Sequence, residues 1–89
     1  MYLMASNFEI LFTKQAKKDI QSLSPKLKAK LRLIILDVIS VDPFQGKKLM
    51  GDLDGNFSYR LSLKDRIVYS VNKKKKIVYV KRARSHYGD

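Results

Sequence analysis

Apolar positions change their spacing twice along this 89-residue chain, and each change predicts a change of secondary structure. Near the N-terminus Phe8, Ile10 and Phe12 occur at every second position, which predicts a first β-strand. We expect that strand to end near Thr13, because a threonine hydroxyl suits the N-cap of a following helix.

Helical spacing replaces this alternation in the next segment. A short amphipathic helix is predicted from three apolar positions: Ala16, Ile20 and Leu23. Ser24-Pro25 separates it from a second helix, since serine can cap that helix and proline tolerates its first turn. The second helix is the longer one, closes at Asp42-Pro43, and carries an apolar stripe of Leu27, Leu31, Ile34, Ile35 and Val38.

Strand-like spacing returns in the C-terminal half. Glycines punctuate residues 44–55, which predicts a loop with a short edge strand. Three strands of a meander should follow, with a tight turn at Lys64-Asp65 and a lysine-rich turn over residues 72–76. The side chains expected to face the helices are Tyr59, Leu61, Leu63, Ile67, Tyr69, Val71, Ile77 and Tyr79. Those expected on the other face are Arg60, Ser62, Arg66, Ser70, Arg82 and Arg84, although one β-bulge would reverse part of this pattern.

The order of elements predicts one α+β domain over residues 1–89. We expect an N-terminal strand and a helical hairpin to pack on one face of a small, twisted antiparallel sheet of four to five strands. The opposite face of that sheet would then be free to bind a ligand.

The charge of the chain points to an anionic partner. Lysine and arginine number 19 against 8 acidic residues, a formal net charge of +11, and this excess favours polyanions, nucleic acid first among them. Without cysteine and with one histidine, the chain is a poor candidate for a metal centre, and we expect no cofactor. No apolar run is long enough for a membrane span, so we expect a cytoplasmic protein that does not bind membranes.

The C-terminal residues could cleave RNA without a metal. That reaction requires a group to accept the 2′-OH proton, cations to stabilise the charge on phosphorus, and a proton for the leaving oxygen. The candidate catalytic residues are His86, Arg66, Tyr87 and Arg84, and the candidate RNA-binding residues are Arg60, Arg82, Lys47, Lys48 and Lys81. Plainer roles compete with these: a histidine near a C-terminus is often an exposed bystander, and the strand arginines could pair with Asp52, Asp54 or Asp65.

The chain resembles the RelE/ParE toxin superfamily of bacterial toxin–antitoxin systems, and within it the YoeB/Txe-like and RelE-like mRNA interferases. The likeness rests on the "DPFQGK" loop, the strands "YRLSL" and "DRIVYSV", and the ending "RARSHYGD". It implies a RelE-like fold, a ribosome-dependent endoribonuclease that cuts mRNA in the decoding site, and a cognate acidic antitoxin as partner.

Carried over by position, Arg66 would stabilise the reacting phosphate, and His86-Tyr87 would match the terminal pair of YoeB-like members. Arg82 and Arg84 both match the C-terminal arginine of RelE-like members. The chain departs from the YoeB-like pattern where a glutamate would serve as general base, because it has Lys47 and Lys48 there. The base would then be His86 or a lysine.

Two other functions remain open from sequence. A ParE-like toxin shares the scaffold but acts on DNA gyrase without catalysis. A simple RNA-binding or ribosome-binding module would use the same cations to position phosphates without cutting them.

Overall fold

The computed structural model describes residues 7–49 and 55–85. It confirms the predicted α+β class. In chain order the elements are β1 (Glu9–Phe12), α1 (Lys14–Gln21), α2 (Pro25–Ile34), a π-helical turn (Ile35–Ile39), a 3-10 turn (Pro43–Gln45), β2 (Lys47–Lys48), β3 (Asn56–Arg60), β4 (Asp65–Asn72) and β5 (Ile77–Ser85). None of the described helices is long and apolar enough to cross a membrane.

Both helices begin at the predicted caps. The Thr13 hydroxyl accepts a hydrogen bond from the Ala16 amide at 3.1 Å. Ser24 accepts one from the Leu27 amide at 3.3 Å, with Pro25 in the first turn. These side chains satisfy amides that have no partner within the helix, so each helix starts where its cap stands.

The second helix widens at its end into the π-helical turn. The Ser40 amide donates to the carbonyl of Ile35, five residues earlier, at 2.8 Å, and the Ser40 hydroxyl donates to the Leu36 carbonyl at 2.8 Å. Ile35 and Ile39 are both buried in the core, so the widened turn continues the apolar stripe of α2.

The described strands form one five-stranded sheet in the order β1-β5-β4-β3-β2. The sheet is mixed, because β1 runs parallel to β5 while the other neighbours are antiparallel. The predicted edge strand in the glycine-rich loop is β2. The core lies between the helices and one face of the sheet, and its buried apolar residues are Ala16, Leu31, Ile35, Ile39, Leu61, Ile67, Tyr69, Val78, Val80 and Ala83.

The predicted orientation of β5 is wrong at its start. Val78 and Val80 are fully buried, whereas Ile77 and Tyr79 are half-buried on the other face. The register explains the error, because Val71 pairs with Val78 and so places it on the core side.

The prediction that Leu63 faces the helices is also wrong, since this residue is 92% exposed. Strand β3 ends at Arg60, and a turn closed by Ser62 and Asp65 follows it. The Ser62 hydroxyl donates to the Asp65 carboxylate at 2.9 Å, and the Leu61 amide donates to the Asp65 carbonyl at 2.9 Å. Leu63 therefore lies in a turn rather than in a strand.

A β-bulge then restores the predicted orientation further along β5. Val68 pairs with Arg82 but Tyr69 pairs with Val80, so Lys81 is the extra residue. After this shift Ala83 enters the core, and Arg82 and Arg84 leave the core face as predicted.

Candidate functional site

Three strands bring one arginine each into a single lateral row. Arg60 of β3 pairs with Arg66 of β4, and Arg66 pairs with Arg84 of β5. Directly paired residues of antiparallel strands project to the same side of a sheet. The preceding row, Tyr59, Ile67 and Ala83, packs in the core, so the arginine row lies on the opposite face.

A cleft of about 550 Å³ runs along the edge of β3 next to this row. Strand β2 pairs only with Phe57 and Ser58, so Tyr59 and Arg60 extend past its end. The cleft can therefore receive side chains from both faces of β3. Its lining residues are Lys30, Ile34, Gln45, Gly46, Lys47, Ser58, Tyr59, Arg60 and Arg66.

In the part of the chain that the structure describes, every charged side chain that lines the cleft is a cation. These cations are Lys30, Lys47, Arg60 and Arg66. Over residues 7–49 and 55–85, none of these four cations forms an ion pair, including with Asp65, which the sequence offered as a partner for the arginines. Unpaired guanidinium groups in a concave surface attract phosphate, because their planar donors match its oxygens.

Tyr69 holds the chain segment that carries Lys47 into the cleft. Its ring is fully buried, and its hydroxyl donates to the Pro43 carbonyl at 2.6 Å and hydrogen-bonds the Gly46 backbone. Burial raises the pKa of Tyr69 to about 12, although the Gly46 hydrogen bond acts in the other direction. The phenol is thus a neutral anchor for the 3-10 turn and for β2.

Gly46 is required at this anchor for space rather than for backbone conformation. Its backbone is extended, with φ −68° and ψ 169°, which any residue can adopt. A Cβ atom at this position would collide with the Tyr69 hydroxyl and stand 2.9 Å from the Ser58 carbonyl oxygen. Only glycine lets the backbone approach the phenol this closely.

Arg82 is held away from the cleft by Asp19 of α1. The Arg82 Nε donates to Asp19 Oδ2 at 2.8 Å, and the Ala83 amide donates to the same oxygen at 3.1 Å. Gln15 donates to the other carboxylate oxygen at 3.1 Å. Burial acts to raise the pKa of Asp19, but these hydrogen bonds outweigh it, and the pKa lies below its usual value.

The predicted site residues therefore separate into groups. Arg60, Arg66 and Lys47 meet in the cleft. Arg84 shares their row but borders a different depression, beside Asp19 and Asp65. Lys48 and Lys81 are exposed and line no part of the cleft, and His86 and Tyr87 lie outside the described residues.

Sequence reasoning misses six of the nine described lining residues, namely Lys30, Ile34, Gln45, Gly46, Ser58 and Tyr59. For Tyr59 the sequence pattern predicts packing alone. The spacing of Lys30 could have been used to predict its position, because it lies four residues before Ile34 of the apolar stripe and therefore on the same side of α2. Within the described part of the chain, no cluster of three or more His, Cys, Asp or Glu side chains could hold a metal ion.

Comparisons with known proteins agree with this architecture. A family model described as the ParE-like toxin of type II bacterial toxin–antitoxin systems matches residues 10–87. No curated protein sequence matches the chain.

Solved structures similar to the chain include toxin–antitoxin complexes from three organisms. The RelBE2 complex of Mycobacterium tuberculosis gives a TM-score of 0.81 at 26% identity, over 90% of this chain and 99% of that chain. The archaeal RelE–RelB complex of Pyrococcus horikoshii OT3 gives 0.69 at 26%, over 89% and 94%. The YoeB–YefM complex of Staphylococcus aureus gives 0.74 at 24%, over 90% and 98%. The chain thus belongs to the ParE-like toxins of type II toxin–antitoxin systems, within the RelE/ParE superfamily.

Proposed function

We propose that this toxin is a metal-independent endoribonuclease that cuts mRNA in the ribosomal decoding site and thereby stops translation. The observation that supports this proposal is the cleft, where Lys47, Arg60 and Arg66 converge and no carboxylate is found among the described lining residues. A catalyst of phosphodiester cleavage needs such a cluster, because negative charge accumulates on the phosphate in the transition state.

The reaction proposed here uses the substrate's own nucleophile. The 2′-oxygen loses its proton and attacks the adjacent phosphorus, and the bond to the 5′-oxygen breaks, leaving a 2′,3′-cyclic phosphate and a 5′-hydroxyl. Arg66 and Arg60 would stabilise the equatorial oxygens. His86 or Lys47 would accept the 2′-OH proton, and Tyr87 would stack on a base or protonate the leaving oxygen. Lys48 is the weaker candidate for the base, because it does not line the cleft.

We also propose an acidic antitoxin as the partner in the cell. The similar structures from M. tuberculosis, P. horikoshii and S. aureus are complexes of a toxin with its antitoxin. With a net charge of +11, this chain should bind an acidic partner through long-range attraction that weakens as salt increases.

A second candidate function comes from the matched family, whose model is described as ParE-like. A toxin with the activity of the ParE branch would act on DNA gyrase and would not cleave RNA. The two candidates differ in what they damage, so one induction experiment separates them.

The test has a cellular arm and a purified arm. Cells induced for the toxin are mapped for new mRNA 5′ ends and for DNA breaks, and the purified protein is incubated with ribosomes programmed with a defined mRNA. Cleaved mRNA with intact DNA supports the nuclease, whereas DNA breaks with intact mRNA support gyrase poisoning.

Matched variants test the role of the cleft. Arg66→Ala should slow cleavage about 100-fold or more, because a charge-stabilising donor is lost. Arg32→Ala, an exposed arginine of α2 outside the cleft, is its control. Lys47→Ala should weaken cleavage more than Lys48→Ala, since neighbouring strand residues project to opposite faces. Equal cleavage by Arg66→Ala and Arg32→Ala would refute the assignment.

A further inference from the structure

We infer that the cleft binds one unstacked RNA nucleotide, with its base on Tyr59 and Ile34 and its phosphate between Lys30 and the strand arginines. This inference rests on the proposed function and identifies the bound form of its substrate as a single strand. It assigns recognition roles to Tyr59 and Lys30, which the sequence pattern did not select for function.

The cleft has two sides of different chemistry, and a nucleotide has the same two parts. On the side of the helices, Ile34 and Tyr59 provide apolar surface that a base can cover, and Lys30 adds one cation. On the side of the arginine row it is Arg60 and Arg66, which suit a phosphate. A cleft of about 550 Å³ is within the usual range for small-ligand pockets.

Tyr59 is suited to stacking because it is only partly buried. Its side chain packs against the core cluster and also lines the cleft. Packing fixes the ring before RNA arrives, so little conformational entropy is lost when a base stacks on it. Aromatic side chains beside cations are the usual platform for single-stranded nucleic acid.

Lys30 supplies a cation from the helix side of the cleft. It lies one helical turn before Ile34 on α2, and both side chains line the cleft. A phosphate of the RNA would contact Arg66 on one side of the cleft and Lys30 on the other. These two contacts would fix the RNA strand in position across the cleft. Paired bases of a duplex remain stacked on their neighbours, so a double strand cannot make these contacts together.

The test uses ribosomes programmed with mRNA that cannot be cut. The mRNA carries 2′-O-methyl groups at the codon in the decoding site and 2-aminopurine at each codon position in turn, because 2-aminopurine emission falls when the base stacks. Titration with wild-type toxin should quench the emission at one position. Tyr59→Phe keeps the ring and should do the same.

Tyr59→Leu removes the ring and should bind about tenfold more weakly, with little quenching. Its control is Tyr79→Leu, a half-buried tyrosine of β5 outside the cleft, which should stay within about twofold of wild type. Lys30→Gln should reduce the slope of the logarithm of the binding constant against the logarithm of the salt concentration by about one. Lys28→Gln, on the same helix but outside the cleft, should leave this slope unchanged.

The outcomes separate this inference from the proposed function. If unmodified mRNA is cut but Tyr59→Leu behaves like Tyr79→Leu, the inference is wrong and the nuclease stands. If wild type quenches the emission through Tyr59 but never cuts mRNA, the binding mode stands and the nuclease is wrong. Absence of quenching at every position overturns the inference.

Discussion

Tyr69→Phe removes a single oxygen atom and tests whether the buried phenol anchors the cleft. The hydroxyl donates to the Pro43 carbonyl at 2.6 Å and hydrogen-bonds the Gly46 backbone, and both residues precede Lys47. Pro43 is itself buried, so its carbonyl finds no water to replace the lost partner. At neutral pH the variant should lose about 1–3 kcal/mol of unfolding free energy.

The pH dependence of the unfolding free energy can be worked out from the pKa of Tyr69. In the unfolded chain the Tyr69 phenol has a pKa of 10.0, and in the folded protein burial raises the pKa to about 12. A raised pKa means that the neutral phenol stabilises the fold below about pH 10, and that this contribution is lost as the pH rises to about 12. Two pKa units correspond to about 2.7 kcal/mol, of which about 2 kcal/mol should disappear between about pH 9 and about pH 11.5.

The measurement is urea unfolding of wild type and Tyr69→Phe at matched pH values. Every other ionisable group is common to both proteins, so the difference in unfolding free energy isolates Tyr69. That difference should shrink, or reverse its sign, as the pH rises. A constant difference across this range would show that burial does not retain the proton on Tyr69, and the anchor argument would fail.

Two further substitutions test the contact of Gly46 with Tyr69 at the cleft and the contacts of Asp19 away from it. Gly46→Ala should destabilise the fold by about 1–3 kcal/mol, because its Cβ would collide with the Tyr69 hydroxyl. Combining it with Tyr69→Phe should recover part of that loss. If the two changes in unfolding free energy are strictly additive, this explanation is wrong. Asp19→Asn should cost about 1.5–3 kcal/mol near neutral pH by weakening the hydrogen bonds from Arg82 and Ala83. Because the pKa of Asp19 is lowered in the fold, the stabilisation by its carboxylate should fade as the pH falls below the ordinary value of 3.8. A difference in unfolding free energy between wild type and Asp19→Asn that persists in acid would contradict this explanation.

Local patterns predicted most of the fold because each acts over a few residues. Thr13, Ser24 and Pro25 set the helix starts by satisfying nearby amides, and alternation found β3 and β4. The predictions failed where the orientation of a side chain depends on how its strand pairs with the neighbouring strand. Whether Ile77 or Val78 enters the core depends on its register with β4, and nothing in the lysine-rich turn specifies that register.

The candidate site was only partly predictable for the same reason. Arg60 and Arg66 could be placed on one face from alternation within a single hairpin. Lys30 lines the same cleft only because the fold places α2 across it from β3, and these two elements are distant in sequence. Arg82 was selected for its charge, but its carboxylate partner on α1 is 63 residues away and cannot be read from local spacing.

The unpaired charge of the cleft has a thermodynamic consequence for the toxin. Its four lining cations repel one another, and within residues 7–49 and 55–85 the observed ion pair, Arg82 with Asp19, lies elsewhere. The buried contacts of Tyr69 must therefore hold the cleft together against that repulsion. Any anion that fills the cleft removes the repulsion in the folded state alone, so binding and stability are linked. An RNA strand or an acidic antitoxin should then raise the melting temperature, and the increase should diminish with added salt, since screening relieves the same repulsion without a ligand.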